Sequence, residues 1–591
     1  MKMVSQTKTK NAFSKNWCKS DNFRTPRISI ILVSILLGLA FGLLLITDLQ
    51  AMPPHPDLLK RIKNGQQAMP SYLKNRTELL KKGIDTPGDL LTKRTDGLAK
   101  TNISGSINIL TILVDFSDQV AQVMPIFYDT LVYIDVSGSV VNYYKEVSYN
   151  TLLITTIDLP STLGWQRAPQ TLLYYADGEY GLGGYPQNAQ KLVEDAVDAI
   201  DPFVDFSLYD NDLDGYVDGL IVVHAGQGAE YTGDVNDIWS HKWGIAPRLK
   251  DGVYVYTYSM EPEYWITPGD MTCGVYCHEL GHVFGLPDLY DTDYSSEGIG
   301  KWSLMASGSW NGSLGNSPAH LDAWSKVQLG FVTPDVITVD QFDVSIPAIE
   351  NSQAIYKLWT NGSPASEYFL VANRQQTGYD TYLPGSGILI WHIDDSQSNN
   401  DNEWWPGCGW SIHYEVALVQ ADNQWHMEHA INQGDSGDPY PGTSNNRTID
   451  GTSSPSSNSY GGIETNVSVT NISNSGTNMT ADLGVGVPQE VNEEKYIIPD
   501  MAVLRQNFPN PFNDRTLIRF KINSLAKVEI DVFDINGRRV KTLLTEDMEP
   551  GIYKISWNGI SDNGEKVGTG IYFCRLSIDH NNIYRKMLYL K

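Results

Sequence analysis

In the stretch Cys277–Asp288, CHELGHVFGLPD, two histidines stand four residues apart with a glutamate directly after the first. On a helix, residues i and i+4 lie one above the other, so the imidazoles of His278 and His282 project from one face and can converge on one ion. Leu280, Val283 and Phe284 fall on the sides and back, where they can pack inward. Gly285 lets the helix end and Pro287 prevents it from continuing. The turn throws Asp288 back toward the same point as a third ligand. Zinc takes nitrogen and oxygen ligands at about 2.0–2.2 Å, and three protein ligands leave a fourth position for water. Glu279, one step round the helix, is badly placed as a ligand but well placed to take a proton from that water. The chemistry expected is metal-assisted hydrolysis with Glu279 as general base; the alternative is an ordinary helix that contains histidines.

Other residues add to the first set. Trp302–Gly308, WSLMASG, holds Met305 in a turn of the kind that sits beneath the metal in metzincin-type peptidases. Tyr290 and His320 are the candidates for an oxyanion donor. Asp210, Asp212, Asp214 and Asp218 alternate through DNDLDGYVD with Gly215 at the sharp turn, like the first half of an EF-hand loop. Ile221 stands where the twelfth-position glutamate would be and a strand follows, so a calcium-type loop entering a strand is expected. Asp435 and Asp438 make either another such site or an ordinary turn. Cys273 and Cys277, at the start of the helix, read as a local bridge or two packed thiols.

The elements that must hold these residues alternate. A dense apolar strand is expected over Ile107–Phe116, a helix over Ala189–Ile200 with Leu192, Val193, Ala196, Val197 and Ile200 on one face, and a strand over Gly219–His224. Val253–Met260, VYVYTYSM, reads as an edge strand. Strands alternating with helices predict an α/β unit over residues 105–333. From 334 to 484 the helical signal fades into strand-like runs such as Tyr368–Ala372, Gly387–Ile393 and Tyr414–Gln420, so a β-rich unit is expected. Residues 485–500 read as a linker, and 501–591 carry short strands separated by turns such as Asn536-Gly537 and Asn563-Gly564, the pattern of a small β-sandwich.

A chain of 591 residues is too long for one core, and its formal charge of −26 makes nucleic acid an improbable partner and divalent cations a natural one. Seven basic residues precede the apolar run Ile28–Ile46, and Ala51 offers a small residue for cleavage, so residues 1–51 read as an export signal. If it is not cleaved, that run is the one membrane contact expected. Residues 52–104 have too few apolar residues for their own core and read as a propeptide, weakly helical around Thr77–Lys82. Five cysteines, Cys18 among them in the leader, cannot form a dense disulfide framework.

The motifs HELGHVFGLPDLYD, GKWSLMASGSW and SPAHLDAWSKVQLGF resemble the secreted immune inhibitor A-type metallopeptidases, and EYFLVANRQQTGYDTYLPGSGILIWHID and QGDSGDPYPG resemble the region that follows their catalytic part. The resemblance spans about residues 105–484. It implies a metzincin-like α/β zincin domain with zinc on His278, His282 and Asp288, Glu279 as the catalytic residue and Met305 in the supporting turn. LRQNFPNPFNDRTLIRF, DINGRRV, GIYKISWNG and YRKMLYLK resemble the immunoglobulin-like sorting domain of type IX secretion, close to that of flagellar hook-capping proteins, with Asp514 where that family usually has proline. Together they imply a secreted or cell-surface zinc endopeptidase acting on proteins or peptides, and an outer-membrane passage that uses the secretion machinery. The rival is a surface-binding or adhesion protein on a decayed peptidase scaffold, and the intact set of His278, Glu279, His282 and Asp288 argues against it. A protease made inside the cell must be kept latent. No cysteine lies between Cys18 and Cys273, so blocking by the propeptide has to use Asp57, Glu78, Asp85, Asp89, Asp96, His55 or the backbone itself.

Overall fold

The computed structural model describes residues 52–71, 103–408, 412–486, 502–578 and 581–591. The leader 1–51, Thr77–Lys82, the acidic candidates Glu78, Asp85, Asp89 and Asp96, and most of the 485–500 linker lie outside them. No helix among the described residues is long and apolar enough to cross a membrane.

The segment that begins at Met52 forms one short helix, α1 (Pro56–Lys63). Pro56 fits its first turn, where a missing N–H costs nothing, and the His55 ring caps it by accepting from the Asp57 amide at 3.2 Å. Leu58 is the buried contact of this helix with the body of the protein.

The next unit is built on one five-stranded sheet. Its strands are β2 (Leu110–Asp115), β4 (Trp165–Arg167), β5 (Leu220–Gln227), β6 (His241–Lys250) and β7 (Val253–Tyr264), in the order β4-β2-β5-β7-β6. All neighbours are parallel except β6, which runs antiparallel to β7 at the edge. Three main helices serve this unit: α2 (Val140–Val147), α3 (Ala189–Ile200) and α4 (Cys273–Val283). Ser139 and Asn188 cap α2 and α3 by accepting from Asn142 and Lys191 amides at 3.2 and 3.1 Å. The face of α3 made by Leu192, Val193, Ala196, Val197 and Ile200 packs on one side of the sheet, and α4 packs on the other.

Two strand expectations need correction. The run Ile107–Phe116 is split: β1 (Gly105–Asn108) leaves to pair with β3 (Leu152–Thr155), and β2 joins the main sheet. Asn211 fixes the break from outside, since its side chain receives the Asn108 amide at 2.7 Å and returns a bond to the Asn108 carbonyl at 3.0 Å. The strand β7 is interior rather than an edge. Its alternation marks only the half that protrudes as a hairpin with β6, whereas Ser259–Glu263 enters the sheet and is buried throughout.

The second unit stacks two antiparallel-rich sheets. One has the order β13-β12-β11-β10-β8, from β8 (Asp335–Ile337), β10 (Tyr356–Trp359), β11 (Glu367–Arg374), β12 (Gly387–Asp394) and β13 (Val416–Leu418). The other has β9 (Gln341–Pro347), β14 (Ser468–Thr470) and β15 (Asn478–Gly484). Phe369, Val371, Ile388 and Ile390 face the smaller sheet, while Leu370, Leu389, Trp391 and Ile393 join the same core as α4. The larger sheet is therefore buried on both faces, and the second unit forms part of the floor under the first. The helix α5 (Ala323–Gln328), capped by Asp322, links the two.

The last unit holds β16 (Ala502–Leu504), β17 (Thr516–Ile522) and β20 (Gly551–Trp557) in one sheet. A second sheet holds β18 (Ala526–Asp534), β19 (Arg539–Met548), β21 (Gly570–Ile578) and β22 (Asn581–Tyr589). Both contribute to one core around Ile518, Val528, Ile530, Trp557 and Leu576.

Candidate metal centre

Every residue of α4 is buried, so its position is fixed by packing on all sides rather than by an amphipathic stripe. Its end is set by Gly285, at φ +97°, and by the Leu286 amide returning to the Gly281 carbonyl at 2.9 Å. That turn brings Asp288 under the helix. The Nε2 atoms of His278 and His282 are 3.1 Å apart, and Asp288 Oδ1 lies 3.1 Å from the first and 3.4 Å from the second.

These separations fit zinc. Ligands at ~2.0–2.2 Å in a tetrahedron are separated by about 3.4 Å. The histidine tautomers agree: each Nδ1 hydrogen is used on a backbone carbonyl, His278 on Leu304 and His282 on Leu286, both at 2.9 Å. Each Nε2 therefore presents a lone pair to the other and to a carboxylate oxygen, an arrangement that a cation stabilises. Burial lowers the His282 pKa, with Asp288 pulling the other way. For Asp288, burial pushes the carboxyl up, but His282 and His278 pull harder and hold it below the usual range. His278, Glu279 and His282 are 0% exposed and Asp288 is 1% exposed, so this centre is closed to a large substrate in the form described.

The Met305 turn supports the HExxH helix and the turn after it by three contacts. The Leu304 carbonyl receives His278, the Met305 carbonyl receives the Leu289 amide at 2.7 Å, and the Met305 sulfur lies against Gly281. A Cβ at position 281 would stand 2.5 Å from Met305 Sδ. Gly281 is therefore part of the site, and the helical spacing of the histidines gave no sign of it. The turn is held in its own right: Ser303 Oγ donates to Asp322 Oδ2 at 2.7 Å, and the Leu304 amide reaches the His320 carbonyl at 3.3 Å. Helix α2 braces α4 through Tyr144, whose hydroxyl donates to the Cys277 carbonyl at 2.6 Å. Cys273 and Cys277 are free, buried thiols.

The two oxyanion candidates sit differently. Tyr290 is 4% exposed and its ring stacks on Tyr294 at 6.0 Å. His320 is fully buried, with Nε2 on Glu146 Oε1 at 2.8 Å and its amide on Asp380 Oδ1 at 2.8 Å. His320 thereby belongs to a buried network that sequence reasoning missed. Arg374, from β11, makes a two-pronged pair with Asp380 at 2.7 and 2.6 Å and donates to the Trp302 carbonyl at 3.2 Å, next to the Met305 turn. Burial pushes the Asp380 carboxyl up, but Arg374 and His320 bring it down to about 2. Removing one partner of such a pair strands a buried charge at a cost of about 3–5 kcal/mol. Arg374→Met is expected to lose about that much stability by urea denaturation, and the double change Arg374→Met with Asp380→Leu to recover part of it.

The acidic loop divides. Ligand atoms of Asp210, Asp212 and Asp214 lie within 4.8 Å of one another, and Gly215 at φ +89° makes the turn. Asp218 is not in that group: its carboxylate accepts the Asn211 amide, and burial raises its pKa to about 6, with Asp212 and Asp214 adding to the effect.

The strip Met52–His55 is buried along its length. The Met52 carbonyl receives Trp239 Nε1 at 3.1 Å, the Pro53 carbonyl receives Trp310 Nε1 at 2.9 Å, and the His55 amide donates to the Glu230 carbonyl at 2.9 Å. The His55 ring packs edge-on against Trp310 at 4.6 Å and tilted on Tyr231 at 5.0 Å. The strip so spans from the β5–β6 connection to the segment after the Met305 turn. Asp57 points outward, with its side chain 64% exposed.

Residues 127–331 match the catalytic domain of the immune inhibitor A peptidases, family M6, and residues 506–589 match the secretion system C-terminal sorting domain. The pre-pro-metalloprotease PrtV of Vibrio cholerae serotype O1 is 33% identical over 215 residues, covering 31% of this chain and 22% of that protein. Immune inhibitor A of Bacillus thuringiensis subsp. alesti is 34% identical over 213 residues, covering 31% of this chain and 30% of that protein. The match thus spans less than a third of the length of either relative. Among solved structures, dimeric latent PorU from Porphyromonas gingivalis is 23% identical over 19% of this chain and 11% of that one, with a TM-score of 0.14, too slight a likeness to bear on the fold. The HExxH helix, the Asp288 turn and the Met305 turn all fall inside the first matched region: the chain carries a peptidase M6 catalytic domain of the immune inhibitor A type and ends in a secretion-system C-terminal sorting domain.

Proposed function

We propose that this protein is a secreted zinc-dependent endopeptidase that cleaves extracellular proteins and is made as a latent precursor. The observation that carries the reading is the buried triad of His278, His282 and Asp288 at 3.1–3.4 Å, close to the edge of about 3.4 Å of a tetrahedral zinc site. When bound, zinc supplies Lewis acidity at the scissile carbonyl and lowers the pKa of water. His278, His282 and Asp288 would hold it, with Leu304, Leu286 and the Met305 turn fixing their orientation. Glu279 accepts the proton of the attacking water and returns it to the leaving amine. His320 supports the Met305 turn in this reading, and Tyr290 remains the oxyanion candidate.

The unit of residues 105–333 is read as a metzincin-like zincin, and 334–484 as its β-rich companion. The last unit, 501–591, is read as an immunoglobulin-like sandwich that engages the secretion machinery; residues 1–51 serve as signal and 52–104 as propeptide. The deciding experiment measures zinc content and casein cleavage on purified protein freed of residues 52–103. One zinc per chain and zinc-dependent cleavage are expected. A protein that binds no zinc, or stays inert when loaded, returns the surface-binding reading.

Calcium is assigned to Asp210, Asp212 and Asp214, with Asp218 shaping the loop from behind. A ligand bound only to the native state at a hundred times its Kd stabilises by about 2.7 kcal/mol. Calcium is therefore expected to raise the thermal midpoint, and Asp212→Ala to remove most of that rise with zinc still bound. Equal midpoints for Asp212→Ala and the parent at saturating calcium would reduce the loop to an acidic turn.

A further inference from the structure

A second oxygen cluster lies in the loop after β13. Ligand atoms of Asp422, Asp435 and Asp438 come within 4.8 Å of one another. Asp438 is 1% exposed; its Oδ2 accepts from Trp302 Nε1 at 3.2 Å and from the Asp435 amide at 2.8 Å, while its buried Oδ1 has no hydrogen-bond partner. The Tyr440 hydroxyl, in the field of Asp422, is another buried polar atom without a partner. Gly437 makes the approach possible: a Cβ there would stand 2.2 Å from Asp422 Oδ2 and 3.0 Å from Asp435 Oδ1. Against three carboxylates, the one ion-pairing partner among the described residues is His426, at 3.0 Å from Asp435 Oδ2.

We propose that Asp422, Asp435 and Asp438 bind a calcium ion. Three converging carboxylates repel one another, and burying the unpartnered Asp438 oxygen costs free energy that a divalent cation in their midst removes. The donors are all hard oxygens, which select calcium or magnesium over zinc. An irregular loop suits the variable coordination of calcium better than the strict octahedron of magnesium. The site also has a place in the catalytic architecture. The Lys301 amide donates to the Gln433 carbonyl at 2.8 Å, the Glu297 amide to the Met427 carbonyl at 3.0 Å, and Gln433 Nε2 to Ser307 Oγ at 3.0 Å. The ion would therefore set the shape of a loop fastened along residues 297–307, the segment whose Leu304 carbonyl orients His278.

The test uses the full chain with Asp212→Ala, which silences the other calcium loop, and terbium as a luminescent stand-in excited through tryptophan. Trp302, bonded to Asp438, is placed to sensitise it. Saturable emission that calcium displaces is expected, and adding Asp422→Asn with Asp435→Asn should weaken both terbium and calcium binding at least tenfold. These two positions are only half-buried, so the variant should fold, which circular dichroism checks. Emission and a calcium-dependent midpoint unchanged in that variant would overturn the site, and displacement by magnesium at the same concentration as calcium would overturn the assignment of the ion. None of these readouts involves proteolysis, so they stand or fall apart from the peptidase reading.

Discussion

Glu279→Gln is expected to keep one zinc per chain and to lose about three to four orders of magnitude in kcat/KM. The amide has nearly the shape of the carboxylate, and the three ligand atoms converge without its help. What it lacks is basicity. General acid–base assistance contributes about 10²–10⁴-fold, and Glu279 is asked to act twice, on the water and on the leaving amine. His282→Ala should behave differently, losing zinc and activity together, because one corner of the tetrahedron goes. The measurement is metal content beside single-substrate kinetics on both variants. Activity near that of the parent in Glu279→Gln would remove it from the mechanism, whatever the zinc content.

The parts of this site that the sequence made legible are those carried by a single stretch of chain. Four-residue spacing puts His278 and His282 on one face of any helix, and a glycine–proline stop turns the chain back within a few residues. The same holds for α3, whose apolar face is a local pattern. What the sequence concealed depends on distant partners. Gly281 looks like a weak point in a helix until Met305 is seen against its Cα. Nothing local marks Arg374 and Asp380 as buried, yet both lie beside the Met305 turn because the larger sheet of the second unit has its back to the first core. The interior position of β7 was hidden for a similar reason: alternation reports which residues meet water, and the protruding hairpin end does so although the strand continues into the sheet. Asn108 breaks the apolar run only because Asn211 waits across a hundred residues to take its backbone. Asp218, spaced like a ligand, turns instead to the Asn211 amide of its own loop.

Removing residues 52–103 is expected to raise peptidase activity by about two to four orders of magnitude over the intact precursor. His278, His282 and Asp288 are buried, and among the described residues Met52–His55 is the strip bonded both to the β5–β6 connection, at Trp239 and Glu230, and to Trp310 after the Met305 turn. It uses its backbone to do so; Asp57, the one acidic candidate among the described residues, faces outward. Met52 and Leu58 are 0% exposed, and full burial of such side chains is worth about 1.5–3 kcal/mol each. Two of them set the closed form at roughly 3–6 kcal/mol below the open one, hence the range given. His55 adds a dependence on pH. Its Nδ1 accepts from the Asp57 amide and so carries no proton, and burial lowers its pKa to about 4, with Asp57 raising it and Arg61 lowering it by lesser amounts. The sign follows: the released strip regains an ordinary imidazole near pH 6.5, so closure is fully favoured above that value and weakens as pH falls toward 4. The measurement is the activity of the precursor divided by that of a chain starting at Ser104, followed between pH 7.5 and about 5, which cancels the pH dependence of the chemistry common to both. The ratio should rise on acidification, and His55→Phe should flatten it. Equal activities at neutral pH would mean that residues 52–103 do not inhibit and serve folding instead.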